Sequence, residues 1–291
     1  MKIAIYGSRR QHDYLPQVEA FLQAITSPEY EVVMHRKLYD HLLHLIPRAL
    51  RCVGRVVDGP DFTADIAVSL GGDGTFLRTA MWVGEKQIPI VGVNTGNLGY
   101  LAALSISELP ALPELLAGKR FRVEYRGLIR VEAEGLPARL WPYALNEVAI
   151  SKEESSSMIT ADVSLGEQPL AHYRADGLIV CTSTGSTAYN LSVGGPIVQP
   201  TIDVRVIAPV AAHSLSIRPL VVGAATPITI IADARASHFR VSLDGRSAAL
   251  PVGTSIRLSE APFKTAVMQL DTCSFADTLR EKLHWADSMN F

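Results

Sequence analysis

Cysteine is scarce in this sequence, and no cysteine motif is present. The 291 residues contain only Cys52, Cys181 and Cys273, an odd number spread far apart, and no C-x-x-C pair. This pattern argues against a disulfide framework and against a zinc knuckle. Because free thiols persist in reducing compartments, we predict a cytoplasmic location.

The sequence also lacks an excess of charge of either sign. The formal net charge is −2, so no general basic field points to nucleic acid or to an anionic membrane. The longest uncharged stretch, residues 177–202, carries Ser, Thr, Gly and Asn in its middle, and these polar groups would lack partners in lipid. The opening MKIAIYGSRR turns polar too soon for a signal peptide and predicts a first strand. We expect neither nucleic acid nor a membrane as a partner.

Two common nucleotide fingerprints are missing as well. No G-x-x-x-x-G-K-[ST] segment occurs, which excludes a P-loop enzyme. No G-x-G-x-x-G segment follows a strand, so the ordinary dinucleotide fingerprint is absent.

The first hundred residues alternate strand-like with helix-like segments. KIAIYG and EVVMH are short apolar runs, and ADIAVSL and IPIVGVN are almost free of charge, as a parallel sheet covered on both faces requires. Helical segments are predicted between them at YLPQVEAFLQAI, LYDHLLHLIPRAL and TFLRTAMWVG. This order predicts an α/β domain with a doubly wound, mostly parallel sheet over residues 1–117.

The pattern changes after about Gly118. Short segments that alternate polar and apolar residues follow one another, among them KRFRVEYRGLIRVEAEG, YALNEVAISK, HYRADGLIVCT and HFRVSLDGRS. They predict a β-rich, sandwich-like domain over residues 118–265. The tail SFADTLREKLHW has a Ser/Asp capping pair and helical spacing, which predicts a helix within residues 266–291 that returns to the α/β domain.

The segment GGDGT at residues 71–75 joins a buried strand to a helix. In open α/β sheets, ligands bind at the carboxyl ends of strands, and glycine turns before helices attract phosphate. A carboxylate repels phosphate, so Asp73 indicates a group that addresses a hydroxyl or a metal ion beside the phosphate. A carboxylate near a hydroxyl can orient it and take its proton during phosphoryl transfer. The alternative is an aspartate in a tight turn that bonds its own backbone.

Polar groups cluster at two further places. The run TSTGSTAYN from Thr182 suits a ligand with ribose hydroxyls and phosphates, or else it caps a helix predicted from about Ala188. Asn146 and Glu147 interrupt an apolar strand, either at a cleft or as a strand-edge pair. His213, in apolar company, is expected to be a core histidine.

Several motifs together resemble those of bacterial NAD kinases. They are GGDGT at 71–75, NTGNLGYLA at 94–102, NE at 146–147, DGLIVCTSTGSTAYNLSVGGPIV at 176–198, HSLSIRP at 213–219 and TLREKLHW at 278–285. The resemblance implies ATP-dependent phosphorylation of the 2′-hydroxyl of the adenosine ribose of NAD, giving NADP. It also implies Mg²⁺ or Mn²⁺, small-molecule nucleotides as partners, and a homodimer or homotetramer. It assigns no metal ligand to a residue of the chain.

The resemblance carries roles over to specific positions. Asp73 would be the general base, and Gly74 and its neighbours would hold phosphates. The remaining implied substrate-binding residues are Arg78, Asn146, Glu147, Arg174, Asp176, Thr187, Ala188, Tyr189, Asn190, Leu191, Ser192 and Ala211.

The chain departs from the family pattern at three positions, one of which is Asn97, where histidine is common. Ser183 stands where proline is usual, which predicts a less rigid loop. Arg246 replaces a frequent glutamine after Asp244 and Gly245, and we expect this cation to contact the substrate and to favour the phosphate of NADP(H).

Two other functions fit parts of the pattern. A diacylglycerol- or sphingosine-type lipid kinase shares the GGDGT turn, although its substrate favours a more apolar second turn. A non-catalytic dinucleotide sensor would keep the NAD pocket but would not need a carboxylate aimed at a hydroxyl.

Overall fold

A computed structural model describes most of the chain, and its contacts divide the chain into two units. The described residues are 1–8, 14–96, 99–153, 158–272 and 274–283. The first unit comprises Met1–Tyr125 with Thr265–Phe291, and the second comprises Arg126–Lys264. The domain boundaries after residues 117 and 265 stay a sequence prediction.

The first unit is built on a parallel sheet. Its strands are β1 Lys2–Gly7, β2 Glu31–His35, β3 Val53–Val57, β4 Ile66–Leu70, β5 Ile90–Asn94 and the short β6 Leu104–Ser105. The hydrogen-bonded order is β5, β4, β1, β2, β3, and every one of these pairs is parallel. The winding therefore reverses between β1 and β4, which is where open α/β sheets bind ligands.

The second unit consists of two layers of mostly antiparallel strands. Its strands are β7 Phe121–Ala133, β8 Tyr143–Ala144, β9 Glu147–Lys152, β10 Ile159–Leu165, β11 Gln168–Ala175, β12 Gly177–Thr182, β13 Val204–Val210, β14 Leu220–Gly223, β15 Ile228–Asp233, β16 His238–Leu243, β17 Arg246–Pro251 and β18 Ser255–Leu270. One layer has the order β14, β13, β12, β9, β16, β17. The other contains β11, β10, β15 and the start of β18, with β7 and β8. Apolar residues of both layers form one core.

Two of these strands, β7 and β18, begin in one unit and end in the other. The end of β18 pairs in parallel with β5, through Val267 opposite Ile90. Strand β7, within the predicted segment KRFRVEYRGLIRVEAEG, is a single strand of 13 residues.

Six α-helices lie among the described residues, besides short 3₁₀ helices. They are α1 Leu15–Ala24, α2 Arg36–Leu43, α3 Asp73–Val83, α4 Leu112–Ala117, α5 Tyr189–Ser192 and α6 Phe275–Leu283. The predicted Ser/Asp pair caps α6, because the amide of Asp277 donates to Ser274 Oγ over 3.1 Å and the amide of Ser274 donates to Asp277 Oδ2 over 3.0 Å. None of the helices in the described ranges is long and apolar enough to cross a membrane.

This architecture confirms the predicted α/β domain with a mostly parallel sheet and a β-rich second part. Strands β4 and β5 are buried at every residue, which explains their almost charge-free sequences. The helix predicted from about Ala188 is confirmed as α5, which begins at Tyr189 and is a single turn of four residues.

Candidate functional site

In the first unit, predicted site residues gather at the glycine turn between β4 and α3. Gly71 has a φ of +152°, and a side chain there would collide with Thr75. Gly72 is the N-cap residue of α3, and its carbonyl accepts the amides of Thr75 and Phe76. The two glycines thus turn the chain sharply enough for Asp73 to be the first residue of the helix.

The carboxylate of Asp73 is held by residues that lie far along the chain. The backbone N–H of Tyr100 donates to Oδ2 over 2.8 Å, and that of Leu101 donates to Oδ1 over 3.1 Å. A side chain at Gly99 would overlap with this carboxylate. Each carboxylate oxygen has two acceptor sites, so the two amides orient Asp73 and leave room for a hydroxyl donor. These two bonds come from the segment after β5, not from the turn that carries Asp73.

The other predicted residues of this turn lie beside Asp73 on α3. Gly74 and Arg78 are both exposed, and Arg78 Nη2 donates to Thr75 Oγ1 over 3.2 Å. The start of α3 therefore presents free backbone N–H groups and one guanidinium at the carboxyl end of the parallel sheet. These groups can bind phosphate.

A separate group of predicted residues, in the second unit, lies at the junction between β8 and β9. Asn146 lies just before β9 and its carbonyl accepts the amide of Thr182 over 2.9 Å. The hydroxyl of Thr182 donates to the carbonyl of Leu145 over 2.6 Å and accepts the amide of Gly185 over 3.1 Å. Gly185 packs so closely on the Asn146 backbone that a Cβ would overlap with it. The NE motif and the hydroxyl-rich loop after β12 are therefore one structure.

Two acceptor oxygens at this junction have no protein donor among the described residues. They are Asn146 Oδ1 and Glu147 Oε2, and both are buried. Burial, together with the neighbouring charge of Asp244, raises the pKa of Glu147 to about 7, although the backbone N–H of Tyr189 donates to its carboxylate and opposes this rise. Buried acceptors without donors are costly, so this pair indicates a ligand that brings hydroxyl or amine donors.

The loop from Thr184 to Ser192 presents only some of its predicted residues. Thr184–Thr187 is a 3₁₀ turn, and Thr187, Ala188 and Leu191 are half-buried, whereas Tyr189 and Ser192 are exposed. Asn190 is fully buried, and its Nδ2 donates to the carbonyls of Ser186 and Pro196. Asn190 therefore stabilises the loop, while its neighbours line the surface.

Three more predicted residues lie where β11, β12 and β13 end or begin. The carboxylate of Asp176 is half-buried and accepts Lys152 Nζ over 2.7 Å. Arg174 is exposed, and its carbonyl accepts the amide of His213 over 2.9 Å. Ala211 is exposed with a φ of +49°, a strained value for a residue with a Cβ. The expectation that His213 is a core histidine was wrong, because it is exposed on the segment after β13.

Arg246 donates its hydrogen bonds to protein carbonyls. Nη1 donates to the carbonyl of Trp141 over 2.9 Å, and Nη2 donates to that of Tyr143 over 2.6 Å. Its Nη2 lies 3.9 Å from Oδ2 of the Asp244 carboxylate. These contacts did not follow from the sequence, and the prediction that Arg246 contacts the substrate stays a prediction.

Asp244 is the residue of this junction that sequence reasoning missed. Its buried carboxylate accepts the amides of Leu145, Asn146 and Glu147. The signal was present in the dipeptide Asp244-Gly245, since Asp-Gly between two strand patterns is a strong indicator of a hairpin turn.

Ser183, the departure from the family's proline, is buried with a φ of −58°. Proline could adopt this angle. The hydroxyl of Ser183 donates to the carbonyl of Ile202, a bond that proline could not make.

The described residues contain no group of three or more His, Cys, Asp or Glu side chains that could hold a metal ion. Asn97 and Leu98 of the NTGNLGYLA motif lie outside the described residues, as do His284 and Trp285 of the TLREKLHW motif.

Comparison with known proteins gives a consistent picture. The chain matches the family models of the ATP-NAD kinase N-terminal domain over residues 8–119 and the ATP-NAD kinase C-terminal domain over residues 145–270. An NAD kinase of Porphyromonas gingivalis is 40% identical over 284 residues, which cover 98% of each chain. An NAD kinase of Bacteroides fragilis is 38% identical over 289 residues, which cover 99% of each chain.

Two solved structures share the fold. Yeast NADH kinase complexed with NADH has a TM-score of 0.88 at 22% identity and covers 100% of this chain and 89% of its own. An NAD kinase from Archaeoglobus fulgidus in complex with ATP has a TM-score of 0.71 at 23% identity and covers 98% of both chains.

Proposed function

Because this chain belongs to the NAD kinase family, a family of phosphotransferases, we propose that it transfers the γ-phosphoryl group of ATP to the 2′-hydroxyl of the adenosine ribose of NAD, giving NADP. The observation that most supports this reaction is the carboxylate of Asp73, oriented by two backbone amides at the start of α3. Phosphoryl transfer needs positioning and charge neutralisation more than covalent chemistry. Neither a lipid kinase nor a dinucleotide sensor is favoured by the comparisons.

In this proposal Asp73 is the general base. Its carboxylate accepts the hydrogen bond of the ribose hydroxyl and takes the proton as the new O–P bond forms. The free N–H groups at the start of α3, with Gly74 and Arg78, bind phosphate oxygens.

Asn146 and Glu147 bind the dinucleotide through their unpaired acceptor oxygens. Ribose hydroxyls and the exocyclic amine of adenine are donors of the kind that Asn146 Oδ1 and Glu147 Oε2 lack. Further contacts are proposed from the surface around them, at Arg174, Asp176, Thr187, Ala188, Tyr189, Leu191, Ser192 and Ala211. Tyr189, being exposed, can lie over a base.

We also propose that the reaction requires Mg²⁺ or Mn²⁺, and that the enzyme is a cytoplasmic homodimer or homotetramer. Since the described residues offer no cluster of metal ligands, nucleotide phosphates and water would supply most of the ligands of the ion. When bound, the ion neutralises the charge of the phosphate oxygens.

The test is an assay of the purified chain with ATP, Mg²⁺ and NAD, in which a coupled dehydrogenase reports NADP. Asp73→Asn keeps the size of the side chain but removes the base, so kcat should fall by about 10²–10⁴. Glu114→Gln is the matched control, because Glu114 is likewise an acidic residue in the first turn of a helix, α4, and is exposed. Circular dichroism and thermal melting check that both variants fold.

Three outcomes would contradict the proposal. Wild-type turnover in Asp73→Asn would reject Asp73 as the base. Binding of NAD without formation of NADP would support a sensor. Phosphorylation of diacylglycerol or a sphingoid base, without phosphorylation of NAD, would support a lipid kinase.

A further inference from the structure

The hairpin between β16 and β17 carries two charged residues that both reach the segment before β9. Leu243 pairs with Arg246, so the turn contains only Asp244 and Gly245. Their φ angles are +47° and +78°, as in the type I′ turn that an Asp-Gly dipeptide favours. This backbone places the carboxylate of Asp244 and the guanidinium of Arg246 3.9 Å apart.

The carboxylate of Asp244 fixes three successive amides. Oδ2 accepts the N–H of Leu145 over 2.7 Å, and Oδ1 accepts those of Asn146 and Glu147 over 2.8 and 3.1 Å. The side chain of Asp244 is only 4% exposed, so these bonds are made away from water. A buried carboxylate that accepts several N–H groups is a strong and directional constraint on the backbone.

The guanidinium of Arg246 fixes the chain just before these amides. It donates to the carbonyls of Trp141 and Tyr143 and lies over the Trp141 ring, 5.3 Å from the ring centroid. Trp141 and Tyr143 also pack edge-to-face, with ring centroids 5.2 Å apart. Residues 141–147 are therefore held to the hairpin by five hydrogen bonds. Arg246 binds two of their carbonyls, and Asp244 binds three of their amides.

What this segment presents is the pair of unpaired acceptors, Asn146 Oδ1 and Glu147 Oε2. We propose that Asp244 and Arg246 are positioning residues, which fix the place of the Asn146 and Glu147 acceptors without touching the nucleotide themselves. The inference rests on the proposed function in one respect, namely that this pair binds the dinucleotide.

The same arrangement determines the charges around Glu147. Asp244 faces its carboxylate from the turn, Cys181 lies opposite it on β12, and the N–H of Tyr189 donates to it from α5. The guanidinium of Arg246 lies 3.9 Å from the carboxylate of Asp244. Of these charged groups, the ionised carboxylate of Asp244 raises the pKa of Glu147, after burial itself.

Arg246→Gln separates positioning from direct contact. If Arg246 acts through residues 141–147, its loss displaces the acceptor pair and weakens the binding of NAD and NADP by the same factor, about ten- to a hundredfold. Titration calorimetry with each dinucleotide measures this directly, and the KM for ATP should stay within about twofold. Arg240→Gln is the matched control, because Arg240 lies on β16 of the same hairpin but pairs with the exposed Glu153.

Asp244→Asn tests the charge. The variant keeps one acceptor oxygen but removes the anion beside Glu147, so the pKa of Glu147 should fall. The pH at which NAD binding weakens on acidification should move to lower pH, a result that a purely structural role would not produce. If Asp244→Asn does not fold, Arg246→Gln alone decides.

Several results would overturn the proposal. Selective loss of NADP binding in Arg246→Gln would show that Arg246 contacts the phosphate itself. Unchanged binding of both dinucleotides would show that the attachment of residues 141–147 is irrelevant to the site. Failure of the proposed function is distinguishable, because it would appear as absent NADP formation in the wild type, whereas the positioning role is measured by binding.

Discussion

The sharpest prediction concerns the buried carboxylate of Glu147 and the replacement Glu147→Gln. Burial first, and then the charge of Asp244, raise the pKa of Glu147 from 4.5 to about 7 in the folded chain. The folded state therefore binds a proton at Glu147 more tightly than the unfolded state does. The ionised form of Glu147 is a cost to folding that the neutral glutamine does not carry.

The size and sign of this cost follow from the two pKa values. The free energy of unfolding is highest below about pH 4.5, where Glu147 is protonated in both states. It falls as the pH rises from about 4.5 to about 7, and it is lowest above about pH 7. The total corresponds to about 3 kcal/mol, of which about 1 kcal/mol is lost already at about pH 5.5. The gain in stability from Glu147→Gln should therefore be about 2 kcal/mol larger at about pH 8 than at about pH 5.5.

Urea unfolding of the wild type and of Glu147→Gln at the two pH values measures this difference. The difference between the two pH values is more reliable than the gain in stability at either pH alone. Glu167→Gln is the control, because Glu167 is exposed in the turn between β10 and β11, and its effect should be the same at both pH values. Glu147→Gln should also bind NAD more weakly, since one acceptor is lost. A gain in stability that is the same at both pH values would refute the argument that burial and Asp244 destabilise the ionised form of Glu147.

Two further predictions concern glycines that lie against site residues. Gly99→Ala forces a Cβ onto the carboxylate of Asp73, so kcat in the coupled assay should fall at least about tenfold while the chain stays folded. Gly59→Ala is the control, because a Cβ there meets no other atom, and it should leave kcat unchanged. Gly185→Ala forces a Cβ onto the backbone of Asn146, so thermal melting should show a loss of roughly 1–3 kcal/mol and calorimetry weaker NAD binding; an unchanged melting temperature would contradict the packing.

Sequence patterns located the buried strands well and the edge strand poorly. Strands β4 and β5 were recognisable because every residue is buried, which leaves an unbroken apolar run. Strand β3 was missed because it lies at the sheet edge, where Gly54 and Arg55 are exposed and break the pattern. The error at His213 has a similar origin, since apolar neighbours in a sequence do not ensure burial when the segment is a surface loop.

For the site, the sequence identified residues by type but not by partner. Asp73 was conspicuous because a carboxylate repels the phosphate that a glycine turn before a helix attracts. The amides that orient it belong to Tyr100 and Leu101, which no local pattern connects with Asp73. Arg246 shows the opposite case, because its charge suggested a ligand contact and its hydrogen bonds go to Trp141 and Tyr143.

By itself, the sequence determined the buried strands of the parallel sheet, the glycine turn that makes Asp73 the first residue of α3, and the family. These features depend on local periodicity, backbone freedom and short motifs, which neighbouring residues encode. Only the tertiary structure decided that Asp244 holds the backbone of the NE motif and that Glu147 has a pKa of about 7. Hydrogen bonds between residues almost a hundred positions apart, and removal from water, depend on how the folded strands pack, and no local segment carries that information.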